Sequence, residues 1–393
     1  MKIAMLLDNN FTNDKRVFKE AKTLVKNGFD VTVICKNEID ESLPSEEKIE
    51  GIKVKRLFKY NLGTTVLVEK NLLAHFDLIN SVSESFDVYH CHDTETWPIG
   101  YILAKRDGAK FICDSHEFFP DYICKSWHKD ELKYELTKLL VRARGEYVEY
   151  SDGLITVSDI ISYELQHIYN LKNKASVIYN TRSIIESMLN GNYIRKKIKK
   201  KYNIDYKKKI ILFSGTVEPS RGIELVIKSM PYVKDCVFLV AGGDKFNYIE
   251  ELKYIANKYN VQDKVIFTGK LTQNELFEYC FSGDLLIYLA LAEVKSIDFS
   301  APNKFFDYIM SGKPMLISDL KFMSSVVKKY EIGEVIDIKN INFKEIGYKI
   351  NSLVHNEQKL NKYKKNVFKI QTMFSWEEQE KKLISFYKEM DKS

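Results

Sequence analysis

The sequence predicts an α/β fold of two Rossmann-like domains in tandem, each built on a doubly wound parallel sheet. Three observations support this prediction. The 393 residues exceed what one ordinary hydrophobic core needs and suit two domains. Two apolar runs near residues 90 and 115 each end in His and carboxylate residues and precede helix-compatible sequence. A second alternation of strand and helix patterns begins near residue 210.

The first domain opens with a strand–helix–strand unit. Lys2–Leu7 is a short apolar run, and Asp14 can cap a following helix whose apolar stripe ends at Gly28. The next strand is Val31–Cys35. Further elements are predicted from apolar runs and helical periodicity at Val54–Phe58, Leu72–Ser83, Val88–Asp93, Phe111–Glu117, Leu132–Tyr150, Gly153–Val157, Ser162–Tyr169 and Ala175–Tyr179.

The composition changes after Asn180, where Asn190–Lys209 is polar, basic and poor in core residues. We therefore predict a first domain at 1–185, a basic linker at 186–208, a second domain at 209–372 and a terminal helix within 373–393. The second domain is predicted to alternate strands and helices at Ile210–Phe213, Ile223–Met230, Val237–Ala241, Tyr248–Tyr259, Val265–Thr268, Asn274–Phe281, Leu285–Leu289, Pro302–Ser311 and Met315–Ser318, before the helix Trp376–Met390.

The bulk composition indicates a globular protein of a reducing compartment. Hydrophobic residues make up 45% and charged residues 29% of the chain. The six cysteines are scattered and none forms C-x-x-C, which favours buried free thiols. The N-terminal apolar run is too short for a signal segment, and no apolar stretch is long enough to span a membrane. These features predict a cytoplasmic location.

A net charge of +6 fits anionic partners such as phosphorylated small molecules or anionic lipid. The dense basic run Arg195–Lys209 is either a solvated helix face or a contact with an anionic membrane surface, which would make the protein peripheral on the inner membrane face. No glycine/aromatic RNA-binding motif accompanies the run, so we expect no nucleic-acid partner.

Polar side chains end two consecutive predicted strands of the first domain. His92 and Asp93 follow one strand, and His116 and Glu117 follow the next. Ligands of open α/β sheets bind at the carboxyl ends of the strands. We therefore expect a catalytic or binding site at these four residues.

The second domain carries two segments suited to an anion. Gly215 and Thr216 end its first strand, and Arg221 leads into the next helix, where a guanidinium can grip two phosphate oxygens. An ordinary turn with a surface arginine is the alternative. There is no G-x-G-x-x-G and no Walker lysine motif, so a standard dinucleotide or P-loop site is not indicated.

The second segment is Ser300–Pro314. Ser300 or Ala301 is predicted near the helix N-cap, Pro302 in the first turn and Gly312 at the stop. Backbone amides at 300–303 could then hydrogen-bond an anion. Asn303 and Asp307 share a helix face, and a carboxylate there can accept two hydrogen bonds from a ribose diol, although a plain surface carboxylate is the alternative.

Taken in order, four stretches resemble glycosyltransferases of the GT-B fold, in particular family 4, the retaining sugar-nucleotide transferases. The resemblance covers almost the whole chain. It rests on the following segments: Asp14-Lys15-Arg16-Val17 with Glu20-Ala21 and Gly28; His92-Asp93 and Asp114-Ser115-His116-Glu117-Phe118-Phe119-Pro120; Ser214-Gly215 with Arg221-Gly222 and Gly242-Gly243; and Pro302-Asn303-Lys304-Phe305-Phe306-Asp307-Tyr308 through Gly312-Lys313-Pro314.

The resemblance implies two Rossmann-like domains facing across a cleft, with a last helix that crosses back to the first domain. It implies a donor site in the second domain. There Arg221 would neutralise the donor diphosphate and share this task with Lys304, and Asp307 would hold the ribose. Further donor contacts would come from Gly215, Thr216, Gly242, Gly269, Lys270, Leu271, Ser300, Ala301, Pro302 and Asn303, with the backbone at 269–271 against the base.

The resemblance also implies roles for the first domain. His116 would lie beside the donor sugar as a catalytic residue together with Arg221 and Asp93. Asp93, Glu117 and Arg16 would face the acceptor.

The implied reaction moves a hexose from a nucleoside-diphosphate sugar, UDP favoured over GDP, to a hydroxyl of a bacterial-type surface glycan or lipid-linked glycan, with retention. The nucleotide sugar is a co-substrate, and no cofactor or metal is implied.

One departure concerns paired carboxylates that the family often spaces as Glu-x7-Glu. Here the second position is Asp307 and the first is Phe299. Three alternatives stay open: a GT-B sugar-nucleotide epimerase or phosphorylase, a non-catalytic glycosyltransferase-like partner protein, and a metal-dependent hydrolase. The hydrolase would use His90 and His92, which alternate along one strand, completed by Asp93, Asp114 and His116.

Overall fold

The computed structural model describes residues 1–37, 43–58, 76–121, 131–340 and 342–391, and it divides into two compact units. The first unit comprises Met1–Tyr179, Val294–Ser300 and Gln379–Ser393. The second comprises Asn180–Glu293 and Ala301–Glu378. The chain therefore contributes two later segments to the first unit after the second has begun.

The first unit is built on a sheet with strand order β3-β4-β2-β1-β5-β6-β7-β8. Within the described ranges every neighbouring pair is parallel except β3 with β4. The strands are β1 (Lys2–Leu6), β2 (Asp30–Lys36), β3 (Glu46–Ile49), β4 (Ile52–Phe58), β5 (Val88–His92), β6 (Lys110–Ser115), β7 (Gly153–Thr156) and β8 (Ser176–Val177).

The second unit is built on a parallel sheet with strand order β11-β10-β9-β12-β13-β14, the doubly wound order of Rossmann folds. The predicted fold class, two α/β parallel-sheet domains, is confirmed. The strands are β9 (Lys209–Ser214), β10 (Cys236–Ala241), β11 (Val265–Phe267), β12 (Leu285–Tyr288), β13 (Met315–Ser318) and β14 (Gly333–Ile336).

Helices connect the strands in both units. In chain order they are α1 (Lys15–Lys26), α2 (Trp97–Asp107), α3 (Glu131–Gly145), α4 (Asp159–Ile168), α5 (Gly191–Lys201), α6 (Ile223–Ser229), α7 (Tyr248–Lys258), α8 (Gln273–Cys280), α9 (Lys295–Phe299), α10 (Asn303–Met310), α11 (Lys321–Tyr330), α12 (Phe343–Val354), α13 (Glu357–Ile370) and α14 (Trp376–Met390); residues 76–81 are also helical. No helix of the described ranges is both long and apolar enough to cross a membrane.

The first helix shows how the sequence specifies a local element. Asp14 accepts a hydrogen bond from the Val17 amide at 3.1 Å, and so caps the start of α1. Val17, Ala21 and Leu24 are fully buried along one face. The chain then reverses through Gly28, whose φ of +86° suits glycine. The predicted cap, stripe and stop are all observed.

The segment predicted as a basic linker, 186–208, contains α5 and belongs to the second unit. Ile194 and Ile198 are buried on the inner face of α5, and Arg195 Nη1 lies 2.6 Å from Asp284 Oδ2. The amine of the buried Lys199 donates to the carbonyl oxygens of Asp205, Tyr206 and Lys208. These contacts were not predicted, because the high lysine content suggested a solvated segment. Two buried isoleucines and two paired cations are enough to hold α5 in the second unit.

Other elements differ from prediction in extent. The predicted helix over Leu132–Tyr150 ends at Gly145 and continues as a 3₁₀ helix over Glu146–Tyr150, and the predicted strand Ala175–Tyr179 shortens to β8. Strands β3 and β14 and helices α11, α12 and α13 are among the elements that were not predicted. Residues 72–75 of a predicted helix and the predicted thiol Cys124 lie outside the described residues; Cys35, Cys91, Cys113, Cys236 and Cys280 are buried and free.

Backbone segments approach each other closely at the carboxyl ends of β9 and β10. Gly215 N–H donates to Ala241 O at 2.9 Å, and Gly242, with φ of +150°, lies against the carbonyl of Gly215. A Cβ built on Gly242 would lie 1.8 Å from Gly215 O. Gly269, with φ of +76°, forms a bridge with Gly242 but faces open space, with no atom within 4 Å of its built Cβ among the described residues.

We expect Gly242→Ala to lower the free energy of unfolding by about 3 kcal/mol or more, because overpacking and positive-φ strain add. Gly269→Ala should cost only about 1–2 kcal/mol, since its strain is conformational alone. Urea unfolding of both variants tests this. Equal losses at the two positions would contradict the close approach of Gly242 to Gly215.

Candidate active site

The two His-bearing strands of the first unit lie side by side. Strands β5 and β6 pair in parallel with His92 opposite Asp114. Because side chains alternate along a strand, His90 and His92 share one face, and their rings stack with centroids 4.3 Å apart. The predicted convergence of polar groups at this sheet edge is therefore present.

Asp114 is the common partner of three histidines. Its Oδ2 lies 3.3 Å from His90 Nε2, 3.2 Å from His92 Nδ1 and 3.6 Å from His116 Nε2. Burial by itself raises the pKa of Asp114. The three histidines, His116 foremost, lower it by more than burial raises it, so the net pKa is well below the usual carboxyl range. Asp114 is therefore an anion at neutral pH.

His116 lies between two carboxylates. Its Nδ1 is 3.0 Å from Asp93 Oδ2, and its backbone N–H donates to Asp93 Oδ1 at 3.1 Å. Asp93 adopts a left-handed φ of +61°, which the double hydrogen bond holds in place. Burial and Arg16 lower the pKa of His116, whereas Asp93 and Asp114 raise it, and the net effect is a rise to about 10. Asp93 thus orients His116 from one side and Asp114 from the other.

The other predicted acceptor residues lie in the same unit. Glu117 Oε2 accepts a hydrogen bond from Ser296 Oγ at 3.0 Å, and Phe118 N–H donates to the same hydroxyl at 3.2 Å. Burial raises the pKa of Glu117. Arg16 is near enough to influence the pKa of His116 and of Glu117, and its Nη1 is buried with no hydrogen-bond partner among the described residues.

Two residues of this cluster were not predicted as site residues. Glu20 is 2% exposed, and burial followed by the Asp114 charge raises its pKa to about 7. Tyr387 of α14 is fully buried, and its hydroxyl lies 2.7 Å from His90 Nδ1. The signal for Glu20 was available, since a carboxylate three residues after Val17 falls on the apolar stripe of α1. Nothing in the sequence connects Tyr387 with a histidine 297 positions earlier.

In the second unit, Arg221 is fixed by two neighbours. Its Nε donates to Glu218 Oε1 at 2.8 Å, and its Nη1 donates to Tyr288 Oη at 2.8 Å. Although burial opposes it, the pKa of Arg221 is raised by Tyr288 and Glu218, so the group is a permanent cation. Glu218 and Tyr288 were not predicted, although Glu218 stands only three residues before Arg221.

Lys304 places an amine close to the guanidinium of Arg221. Its Nζ lies 4.3 Å from the ring centroid of Phe213 and 4.5 Å from that of Tyr288, the tyrosine that also holds Arg221. A Cβ built on Gly215 would lie 2.9 Å from the same amine, and the φ of +129° at this position favours glycine. Burial and then Arg221 lower the pKa of Lys304 well below its usual value. A bound anion would raise this pKa again.

The predicted phosphate-side and base-side loops meet at one sheet edge. Gly215 and Thr216 follow β9, and Gly242 follows β10 and bridges Gly269. Lys270 and Leu271 continue from Gly269, and a Cβ built on Gly243 would lie 3.6 Å from the Lys270 Cα. These loops therefore gather where the doubly wound order places ligands.

Helix α10, which was predicted to bind the donor, begins at Asn303 with Pro302 as its N-cap, and Gly312 follows its end with φ of +69°. The expectation of four open amides at 300–303 is wrong in two places. The Ser300 amide and hydroxyl both donate to Ile297 O, and Pro302 has no N–H. Ala301 and Asn303 are the amides that remain as candidates.

Asp307 has a partner that the sequence did not reveal. Its Oδ1 accepts a hydrogen bond from Arg182 Nε at 2.6 Å. Arg182 also donates to Gln273 O at 2.9 Å, pairs with Glu186 at 3.1 Å and stacks on Phe277. The predicted role of Asp307 toward a ribose stays a prediction, and Arg182 is the group that holds this carboxylate.

The departure at Phe299 has a structural reason. Phe299 is 1% exposed and packs edge-on against Phe118, with ring centroids 5.1 Å apart, inside the first unit. A glutamate at this position would bury an unpaired carboxylate in an apolar contact. The nearby Glu293 accepts a hydrogen bond from Ser220 in the second unit.

Comparison with known proteins agrees with both halves of the chain. The family model for Glycosyltransferase Family 4 matches residues 15–182, and that for Glycosyl transferases group 1 matches residues 194–370. An uncharacterized glycosyltransferase of Methanocaldococcus jannaschii is 25% identical over 383 residues, which span 94% of this chain and 92% of that protein.

Solved structures share the fold across the full length. Sucrose-phosphate synthase from Thermosynechococcus elongatus superposes with a TM-score of 0.77 at 16% identity and covers 99% of each chain. HepE of Anabaena, solved in complex with UDP and glucose, gives a TM-score of 0.74 at 13% identity and covers 99% of this chain and 100% of its own. The protein is therefore an enzyme of the glycosyltransferases, and it belongs to their GT-B, family-4-like group.

Proposed function

We propose that the protein transfers a hexosyl residue from a nucleoside-diphosphate sugar to a hydroxyl of a surface or lipid-linked glycan, with retention at the sugar carbon. The observation that carries this proposal is the pair of basic side chains, Arg221 and Lys304, which both contact Tyr288 close to Gly215, the glycine that follows β9. Two basic groups at a loop that admits close backbone approach suit a diphosphate.

UDP is our preferred donor nucleotide. The fold neighbour HepE has been solved with UDP and glucose, and other structures of it hold UDP-glucose and UDP. In this chain the base would lie against the backbone of Gly269, Lys270 and Leu271, where main-chain donors and acceptors can read its edge. The diphosphate would then extend toward Gly215 and the two basic side chains.

In the proposed reaction the bond between the anomeric carbon and the diphosphate oxygen breaks, while a bond from the acceptor oxygen to that carbon forms on the same face. The acceptor proton passes to the leaving diphosphate. Arg221 and Lys304 stabilise the negative charge that develops on that diphosphate. We propose no metal for this step, because the guanidinium and the ammonium supply the positive charge. His116, held by Asp93, would hydrogen-bond a hydroxyl of the donor sugar.

Phe299 bears on how the donor sugar is held. The position of the first family glutamate is a buried phenylalanine here, so no carboxylate at this position can contact the donor sugar. Turnover of a donor measures whether the remaining contacts are enough.

We expect one class of nucleotide sugar, with UDP sugars first, to raise the melting temperature and to be hydrolysed slowly without added magnesium. Arg221→Ala should lower donor turnover by about 10²–10³-fold, the usual loss when one charge-stabilising donor is removed. Thermal-shift and donor-hydrolysis assays with UDP, GDP, ADP and CMP sugars measure this. Lys253→Ala is the control, because Lys253 is exposed on α7 in the same unit as Arg221. Stabilisation by no nucleotide would refute the proposed donor site.

Binding of a nucleoside diphosphate should draw a proton onto the protein. Burial and Arg221 keep the pKa of Lys304 low in the free protein, and a bound diphosphate would raise it. Titration calorimetry in buffers of different ionisation enthalpy, at mildly alkaline pH where the diphosphate is fully ionised, measures the uptake. Lys304→Gln should abolish it. Equal proton uptake by the variant would show that Lys304 does not face the diphosphate.

One face of α5 suits an anionic membrane surface, and we propose that it holds the protein near a lipid-linked acceptor. Tyr193, Lys196 and Lys200 are exposed and follow helical spacing, while Ile185 and Met188 just before the helix are 78% and 72% exposed. We call these five residues the basic surface. Exposed apolar and aromatic side chains beside lysines are typical of interfacial helices.

Reversing two charges of the basic surface, with Lys196→Glu and Lys200→Glu together, should weaken binding to vesicles containing phosphatidylglycerol at least tenfold. Each basic residue near anionic lipid contributes about 1 kcal/mol. Co-sedimentation measures the change. The matched control reverses Lys253 and Lys258 on α7, which are also exposed and alter the net charge equally. An equal loss in both variants would point to net charge and against this surface.

A further inference from the structure

We propose that Glu20, His90, His92 and Asp114 form a binding site for a divalent transition-metal ion, with zinc as the best match. One ligand atom from each of these residues lies within 4.8 Å of the others, and all four side chains are buried. The site combines α1, β5 and β6 within the first unit, and it goes beyond the sugar transfer proposed above.

The spacing of the ligand atoms is close to that of a metal sphere. Asp114 Oδ2 lies 3.3 Å from His90 Nε2 and 3.2 Å from His92 Nδ1. Ligands of a tetrahedral zinc with bonds of about 2.0–2.2 Å lie about 3.4 Å apart. These two separations already match. The largest separation among the four ligand atoms, which is within 4.8 Å, would shorten by an amount on the order of 1 Å when an ion binds.

One buried atom points to a missing ligand. Glu20 Oε2 has no hydrogen-bond partner among the described residues, although the side chain is only 2% exposed. A buried polar atom without a partner costs free energy, and a carboxylate costs most. A dication would pair with the Glu20 carboxylate and with that of Asp114, and so balance two negative charges.

The surroundings resemble the outer shell of a metal centre. Metal-binding histidines commonly use their second ring nitrogen in a hydrogen bond that fixes the tautomer. His90 Nδ1 meets the Tyr387 hydroxyl at 2.7 Å, which leaves Nε2 directed toward Asp114. His116, paired with Asp93, contacts His92 and Asp114 from the other side. Two imidazoles and two carboxylates form a set that suits zinc, and magnesium and calcium prefer oxygen ligands alone.

The proposed ion would join a helix to two strands and stabilise the first unit. It lies beside His116, so it would also help to fix the orientation of that imidazole. The four ligands are separate from Arg221 and Lys304, which belong to the second unit, and no step of the sugar transfer uses the ion.

The test uses the full chain, stripped of metal with a chelator and titrated with Co²⁺, whose visible spectrum is intense when the site is tetrahedral. We expect one Co²⁺ per chain, displacement of its spectrum by Zn²⁺, and a rise in melting temperature with Zn²⁺. Glu20→Gln and His92→Gln should lose the spectrum and the Zn²⁺-dependent rise. Glu20→Gln keeps the shape of the side chain and removes its charge, so the metal-free variant should unfold at or above the temperature of metal-free wild type.

His167→Gln is the matched control, because His167 is exposed on α4 of the same unit. It should leave both the spectrum and the stoichiometry unchanged. A wild-type protein that binds no Co²⁺ would overturn the proposal, and the cluster would then be a hydrogen-bonded core. A Glu20→Gln variant that folds and binds Co²⁺ with the wild-type spectrum would overturn it as well.

Discussion

Parallel pairing of strands is the constraint on which the rest of the structure depends. When neighbouring strands run in the same direction, all their carboxyl ends lie along one edge, and residues far apart in the chain meet there. His92 thus stands opposite Asp114 in the first unit. In the second unit the loops after β10 and β11 meet through the Gly242–Gly269 bridge, and the loop after β9 meets the loop after β10 through the Val217–Asp244 bridge. The chemistry of each unit follows from which side chains its sequence places at that edge.

The two units treat buried charge in different ways. In the first, Asp114 is compensated by histidines, and Glu20 adds a carboxylate that has one oxygen without a protein partner among the described residues. In the second, Arg221 is compensated by Glu218, whereas Lys304 faces two aromatic rings. Unpaired buried charge is costly in either sign. The cation proposed for the first unit and the diphosphate proposed for the second would each compensate these groups.

Sequence patterns predicted the parallel sheets, the α1 cap and the residues at the strand ends, because periodicity, caps and turn glycines are local signals. They did not predict Tyr387 beside His90, Arg182 beside Asp307 or Lys199 under its three carbonyl groups. These pairings depend on tertiary packing, which composition does not encode. Lys199 was not distinguished from the exposed lysines of the basic run for the same reason, because its acceptors are brought to it by tertiary packing.

Asp307 illustrates how an ion pair can support a binding role. A carboxylate can accept about four hydrogen bonds, so the bond from Arg182 uses only part of its capacity. Arg182 is itself held by the Gln273 carbonyl, Glu186 and the Phe277 ring. An aspartate is shorter than the glutamate usual in the family, and an arginine fixed on three sides restores a defined position for its oxygens. Arg182 therefore fixes the position of the Asp307 carboxylate, and the contact of Asp307 with a ribose stays a prediction.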